Sequence, residues 1–204
     1  MTFRHIEKGL KEKGTRFPVG IDEAGRGSLA GPVVAACCWM QNPEHTIGVQ
    51  DSKVLSPKRR RAIFDRMMED ANFVVRYDVV SHEVIDEINI LQASLLAMLG
   101  AVSKLPFTPD MLLVDGNRAP KTTIPTWPIV EGDKYVASIA AASIVAKVVR
   151  DMIMTEYGEK YPYGFETHFG YGTPGHLKRL HELGPSEIHR KTYAPVRASL
   201  ARIA

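Results

Sequence analysis

Residues 19–34 read VGIDEAGRGSLAGPVV. An apolar run ends in two adjacent acids, Asp22 and Glu23, and a glycine-rich turn carrying Arg26 follows at once. Valine and isoleucine on either side of clustered glycines predict a strand, a loop and a second strand. The first strand is expected over residues 17–22 and the second over 32–40. One reading is a hairpin turn with a solvated acidic shoulder. The other is a reactive site built at a strand end, and the remainder of the chain decides between them.

Outward from this stretch, helix and strand signals alternate. Ser56-Pro57 has the form of an N-cap followed by proline at the first helical position, and predicts a helix to about residue 70. Its apolar positions are Ile63, Phe64, Met67 and Met68. FVVRYDVV, residues 73–80, alternates as a strand does. Ser81 then caps a longer helix in which Ile85, Ile88, Leu91, Leu95, Leu99 and Val102 recur at three- and four-residue steps, and Pro106 and Pro109 end it. MLLVD, residues 111–115, is the continuously apolar kind of strand that is buried on both faces. Another short strand is expected near 127–130. Residues 136–149, VASIAAASIVAKVV, are small and apolar on nearly every side and predict a closely packed buried helix. From Gly158 the chain is rich in Gly, Pro, Tyr and His, which predicts a looser element with helices near 176–183 and 195–202. The class is therefore α/β: a central sheet flanked by helices, with a helical C-terminal appendage.

Bulk properties narrow the function. With 204 residues, the chain is long enough for one large domain with a real core. The charged N-terminus, MTFRHIEKGLKEKG, has no apolar segment of the secretory kind, and no apolar run is expected to approach the roughly 18 residues of a membrane span. Cys37 and Cys38 are neighbours, point to opposite faces of a strand and make poor disulfide partners; they read as small core residues of a cytoplasmic protein. The net charge of +3 says little, but its distribution says more. Lys53, Lys58, Arg59, Arg60 and Arg61 follow one another without an acid, and the segment from Tyr171 onward carries Lys178, Arg179, Arg190, Lys191, Arg197 and Arg202 against Glu182 and Glu187. Basic segments around acidic points suit a polyanion whose chemistry needs a metal; solvated helix faces produce the same pattern.

The acids recur in one setting. Asp22-Glu23 stands at a strand end, Asp115 precedes Gly116-Asn117, and Asp133 follows Gly132. Gathered on one sheet edge, four carboxylates raise each other's pKa unless a cation sits among them. Hard oxygen ligands suit Mg²⁺ or Mn²⁺ rather than zinc. Two such ions roughly 3.5–4 Å apart activate a water and steady the leaving oxygen of a phosphodiester. A strand-terminal Asp before Gly is also an ordinary turn, and Asp151 competes with Asp133 as the fourth ligand on spacing alone. Other chemistries fit poorly. GRGSLAG is neither GxGxxG nor a GK[ST] loop, the seven histidines form no HExxH, no cysteine pair has zinc-site spacing, and Ser28 lies in no GxSxG elbow.

DEAGRGSLAGPVVAA, DSKVLS, LLVDGN, GDKYVASIAAASIVAKVVRD and HFGYGTPGHL resemble, in this order, the motifs of ribonuclease HII, the type 2 ribonuclease H, over residues 19–196. The VDGN motif and the interval from Asp115 to Asp133 resemble the bacterial branch. The resemblance implies a ribonuclease H-like fold and an endonuclease using two divalent ions, Mn²⁺ or Mg²⁺. Its substrates would be RNA/DNA hybrids and duplex DNA with embedded ribonucleotides, cut 5′ to the ribonucleotide to leave a 3′-hydroxyl and a 5′-phosphate. By position, Asp22, Glu23, Asp115 and Asp133 match the metal-binding carboxylates, which decides for Asp133 over Asp151. Gly25, Arg26 and Gly27 match the loop whose backbone reads the ribose 2′-hydroxyl. Tyr171 matches a tyrosine that packs on the sugar at the RNA–DNA junction, and Lys53 a lysine near the phosphates. The residues themselves are suited to these roles: only the 2′-hydroxyl tells RNA from DNA at a site, and glycines let backbone groups approach it. Lys58 to Arg61 stay unassigned. A catalytic domain is expected over residues 1–157, with a C-terminal element over 158–204 packed on it and touching substrate. The family and the lack of a heptad seam point to a cytoplasmic monomer without obligate protein partners or membrane attachment. Two rivals stand beside this reading. A resolvase or DNA nuclease of the same fold would not require the Gly-Arg-Gly turn or the tyrosine motif. A non-catalytic hybrid binder would be favoured by loss of one of the four acids.

Overall fold

Apolar strands that alternate between two faces need cover on both sides, and the observed architecture supplies it. The computed structural model describes residues 5–49 and 55–202. Five strands, β1 (Pro18–Ala24), β2 (Val33–Met40), β3 (Phe73–Val80), β4 (Met111–Asp115) and β5 (Thr126–Ile129), form one mixed sheet in the order β3-β2-β1-β4-β5. The β1–β2 and β2–β3 pairs are antiparallel, and β1–β4 and β4–β5 are parallel. Seven helices surround it: α1 (His5–Glu12), α2 (Pro57–Glu69), α3 (His82–Ser103), α4 (Ala137–Lys160), α5 (Phe165–His168), α6 (Pro174–Leu183) and α7 (Ala194–Leu200). The predicted strands and long helices are all present. The short α1 and α5 had no periodic signal long enough to announce them.

The period of two divides the core. On β2, Val34, Ala36, Cys38 and Met40 face α2 and α4, whereas Val33, Ala35 and Cys37 face α3. Cys37 and Cys38 are thus buried and unbridged on opposite faces. The alanines of α4 allow its backbone to lie almost on β1. At Gly20 a Cβ would sit 2.3 Å from the backbone nitrogen of Ile139, so any larger residue there pushes α4 off the sheet.

Local signals acted where expected, with three exceptions. Ser56 accepts a hydrogen bond from the Arg59 amide at 3.3 Å, and Pro57 opens α2. Ile63 and Met67 are buried, whereas Met68, expected on the apolar face, is half exposed. Ser81 occupies the N-cap position of α3, but its hydroxyl donates to the Glu83 carboxylate instead of accepting an amide. The expected single register of α3 does not hold, because Asn89 breaks it with φ 66°. Its side-chain oxygen accepts the Gln92 amide at 3.1 Å, so it acts as an internal N-cap for the second half. Beyond this kink the buried face is Ala93, Ala97, Met98 and Ala101, and Leu91, Leu95 and Leu99 turn halfway out. By length and mean hydropathy α3 is apolar enough to cross a membrane, although no uninterrupted run is. Here it is packed mainly against β2 and β3 through Ile85, Ala93 and Ala97.

α4 has no side-chain cap of its own. Glu7, carried by α1 and 2% exposed, accepts the amides of Ala137 and Ser138 at 3.1 and 3.2 Å. A carboxylate at a helix N-terminus satisfies orphan amides and meets the positive end of the helix dipole. Burial raises the Glu7 pKa, against these hydrogen bonds. Replacing Glu7 with Ala is expected to cost about 1–2 kcal/mol. Urea unfolding should show a lower midpoint at unchanged m-value; an unchanged midpoint would refute the capping role.

A candidate carboxylate metal centre beside a glycine loop

Parallel pairing places the C-terminal ends of β1 and β4 side by side. Ile21 pairs with Val114, so the next residues in register, Asp22 and Asp115, lie next to each other. Gly20, Asp22 and Ala24 project toward α4, as do Leu113 and Asp115. Asp133 arrives from the 3-10 turn Gly132–Lys134, just before α4, and its amide reaches Asp115 Oδ1 at 3.4 Å. One carboxylate oxygen from each of Asp22, Asp115 and Asp133 lies within 4.8 Å of the other two. Asp151 lies outside this cluster and pairs with Lys147 and Arg60 instead.

Glu23 departs from the expectation. The strand extends to Ala24, so Asp22 and Glu23 lie inside β1 rather than beyond its end, and adjacent strand residues point to opposite faces. Glu23 lines the same cavity of about 300 Å³ as Asp22 and Asp115, but its Oε1 accepts a charged hydrogen bond from Arg26 Nη1 at 3.1 Å. Its charge is still felt. The Asp22 pKa stands well above the usual carboxylate range, first because Asp22 is buried, then because Glu23 and Asp115 repel its negative form. Hydrogen bonds from Ser143 and from the Glu23 amide, the latter 2.7 Å long, oppose that shift. This donor set fits a hard divalent cation: three carboxylates in reach of one point, in surroundings that disfavour the unneutralised charge of Asp22.

The Gly25-Arg26-Gly27 turn borders the cavity, and it is held from behind by two buried arginines. Arg190 donates to the carbonyls of Gly25 (2.7 Å), Arg26 (3.0 Å), Gly31 (3.0 Å) and Pro32 (3.1 Å). Arg150, on α4, donates to the carbonyls of Pro32 (2.9 Å), Ala30 (3.2 Å) and Phe169 (2.9 Å). Burial lowers both guanidinium pKa values, that of Arg150 to about 10. Gly25 has φ 99°, and a Cβ there would collide with Arg150 Nε at 2.0 Å. Glycine is required on both counts. The Tyr193 hydroxyl adds a 2.8 Å bond to the Arg26 carbonyl. Tyr171 closes the cavity on the far side, with the Arg150 guanidinium 5.4 Å and Lys147 Nζ 5.9 Å from its ring centre.

The C-terminal segment is not loose. Ser28 bridges Tyr171, Ala30 bridges His189, and backbone bonds join Leu29 to Gly170 and Arg190 and Gly31 to Ile188. α4 continues unbroken past residue 157 to Lys160. Arg60 of the basic run turns inward onto the Leu55 carbonyl, and Lys58, Arg59 and Arg61 face outward. Lys53 lies outside the described residues. Sequence reading missed Ser143, Lys147, Arg150 and Arg190. The i, i+4, i+7 spacing of Ser143, Lys147 and Arg150 in an otherwise apolar helix was the available signal. A larger cleft, about 740 Å³, opens between the start of α3 and residues 187–191. Its acids are engaged in the fold: Asp86 receives the amides of Lys191 and Thr192, and Glu187 the Tyr161 hydroxyl.

Fold and site together define a class, an α/β protein with a carboxylate cation site at the ends of parallel strands and a rigid glycine loop beside it. The model of the family "Ribonuclease HII" matches residues 19–196, and the chain belongs to that family. It is 47% identical over 195 residues to the ribonuclease HII of Chlamydia muridarum, covering 95% of this chain and 89% of that protein. It is 48% identical over 192 residues to that of Bacillus cereus, with 94% and 74% covered. Among solved structures, the ribonuclease H2 of Pyrococcus horikoshii OT3 superposes with a TM-score of 0.77 at 27% identity, covering 91% of this chain and 98% of that one.

Replacing Arg190 with Lys keeps the charge but not the fork that spans four carbonyls. A displaced loop is expected to cost about tenfold or more in kcat/KM on a ribonucleotide-containing duplex. Steady-state cleavage within twofold of wild type would contradict the clamp.

Proposed function

We propose that this chain is an endonuclease that hydrolyses the phosphodiester 5′ to a ribonucleotide, in RNA/DNA hybrids and in DNA duplexes with embedded ribonucleotides, leaving 3′-hydroxyl and 5′-phosphate ends. One observation carries the reading: the Asp22, Asp115 and Asp133 carboxylates and the Gly25–Gly27 loop line or adjoin one cavity, in a member of the ribonuclease HII family. Asp22, Asp115 and Asp133, with Glu23 alongside, are the residues that would hold two divalent ions, Mn²⁺ or Mg²⁺. Bound there, such ions supply an attacking water at neutral pH and stabilise charge on the leaving oxygen.

The chain's own residues do the rest. Ser143 and the Glu23 amide hold the Asp22 carboxylate in orientation. The Gly25 to Gly27 loop is fixed by Arg190 through the Gly25 and Arg26 carbonyls, and the loop's peptide groups outside that clamp are the ones assigned to a 2′-hydroxyl. A deoxyribose leaves those groups unpaired, and an unpaired buried polar group is what makes such discrimination steep. The Tyr171 ring packs against the neighbouring sugar. Lys147, beside Tyr171 in the cavity wall, places positive charge where the backbone phosphates pass, and Lys53 is assigned to the same phosphates. We read residues 1–157 as the catalytic part and 158–204 as an element that contacts substrate, and the protein as a cytoplasmic monomer acting in ribonucleotide removal.

The test is cleavage of a duplex with one embedded ribonucleotide. Cutting is expected 5′ to that nucleotide with Mn²⁺ or Mg²⁺, none with chelator and none on the all-DNA duplex. Asp115→Asn is expected to lower the rate by about a thousandfold or more while hybrid binding changes little. Equal cutting of the all-DNA duplex would sink the ribose-reading role, and full activity of Asp115→Asn the metal-ligand role.

A further inference from the structure

Behind Tyr171 lies a cluster of histidines that neither the metal centre nor the glycine loop uses. His176 and His189 are both 0% exposed, and their Nε2 atoms face each other at 3.0 Å. His176 Nδ1 lies 2.9 Å from the Tyr171 carbonyl oxygen, and His189 Nδ1 lies 3.0 Å from the Ser186 amide nitrogen. Each end of this chain has a fixed role. A carbonyl only accepts, so His176 Nδ1 carries hydrogen. The Ser186 amide only donates, so it takes His189 Nδ1 as its acceptor, and the Ser186 hydroxyl, 2.8 Å from the same nitrogen, donates to it too in this arrangement. A neutral imidazole holds one N–H, which leaves His176 Nε2 bare and puts the other proton on His189 Nε2. The facing nitrogens are then donor and acceptor, and the chain runs one way: Ser186 N–H to His189, His189 N–H to His176, His176 N–H to the Tyr171 carbonyl.

A second proton breaks this order. On His176 it would set two N–H groups against each other, and on His189 it would set one against the Ser186 amide and force the Ser186 hydroxyl to turn from donor to acceptor. The surroundings also oppose charge. The Tyr163 ring stands 4.8 Å from His189 and the Phe165 ring 5.4 Å from His176, in tilted or edge-on contact. Burial lowers both imidazole pKa values, that of His189 to about 3 with the help of neighbouring His176. His168 stacks on His176 at 4.5 Å and is ordered by the same logic: the Gly170 amide donates to its Nδ1 at 3.2 Å, and its Nε2 donates to the Tyr163 carbonyl at 2.9 Å.

The relay ends on the backbone of the residue that faces the cavity. The Tyr171 carbonyl accepts from His176 and from the Thr173 amide, and the Tyr171 backbone is bridged to Ser28, next to the glycine loop. We propose that His176 and His189 are positioning residues for Tyr171, a one-way relay of neutral imidazoles that fixes this tyrosine's backbone against the Gly25–Gly27 loop and so sets how closely its ring meets the sugar beside the ribonucleotide. The proposal rests on the ribonucleotide-reading role given above to Tyr171, and on a chain of bonds that stands without that role.

Two measurements test it. In the full-length protein labelled with ¹⁵N-histidine, long-range ¹H–¹⁵N spectra at pH 6.5 are expected to show His176 protonated at Nδ1 only and His189 at Nε2 only. Ordinary histidines are about half charged at that pH. Either ring charged, or the opposite proton placement, overturns the relay with the functional reading left standing. The second measurement is a double-mutant cycle on the single-ribonucleotide duplex. His176→Phe is expected to lower kcat/KM about tenfold, His176→Asn, which keeps a donor near the carbonyl, to recover part of the loss, and Tyr171→Ala with His176→Phe to be no worse than Tyr171→Ala alone. Multiplying losses would make the histidines generally structural and overturn the positioning role. Wild-type cleavage by Tyr171→Ala would overturn the functional reading itself, and the spectra would still report on the relay.

Discussion

The parallel pairing of β1 with β4 is the constraint on which the site depends. It sets Asp22 beside Asp115 on the face covered by α4, and the turn before α4 adds Asp133. Burial and like charge raise the Asp22 pKa, so the ion-free protein carries Asp22 at a cost to its own stability. For a carboxyl group raised in the folded state, the sign is set by linkage. Stability is full below the unfolded-state pKa near 4 and falls as pH rises through the folded-state value. A divalent ion reverses that cost by favouring the ionised acids.

α4 joins the two halves of the site. Its small residues let it approach β1 at Gly20, and its few polar residues on one ridge serve the cavity: Ser143 on Asp22, Lys147 in the wall, Arg150 behind the glycine loop. Arg190 reaches the same loop from the C-terminal segment. The Gly25–Gly27 turn is rigid because Arg190 spans its carbonyls and Arg150 those of the segment after it, and guanidinium is the side chain whose forked donors can do so. Discrimination by a backbone loop needs such stiffness, since a loop free to shift would accommodate deoxyribose as easily as ribose.

Much of this was legible in the sequence. Alternating strand and helix periods and the Ser56-Pro57 cap carry local signals, and β4 ends at Asp115 as MLLVD predicts. What was not legible depends on contacts between distant residues. Glu7 caps a helix 130 residues away, and nothing in HIEKGLKE distinguishes it from a surface acid. Arg150 and Arg190 look like surface arginines until their carbonyl partners are known. Asn89 sits inside an unbroken apolar rhythm, so periodicity passed over the kink. The adjacency of Asp22 and Glu23 suggested two inward ligands; both line one cavity, and nothing in the sequence showed that Glu23 is also bound by Arg26.

The most direct measurement compares wild type with Asp22→Asn by urea unfolding at neutral pH, first in chelator and then with Mn²⁺. Asn keeps the shape and the bond from the Glu23 amide but removes one buried charge. The account predicts that Asp22→Asn is the more stable protein in chelator, and that Mn²⁺ raises the stability of wild type much more than that of the variant. A variant less stable than wild type in chelator, with Mn²⁺ stabilising both equally, would contradict it.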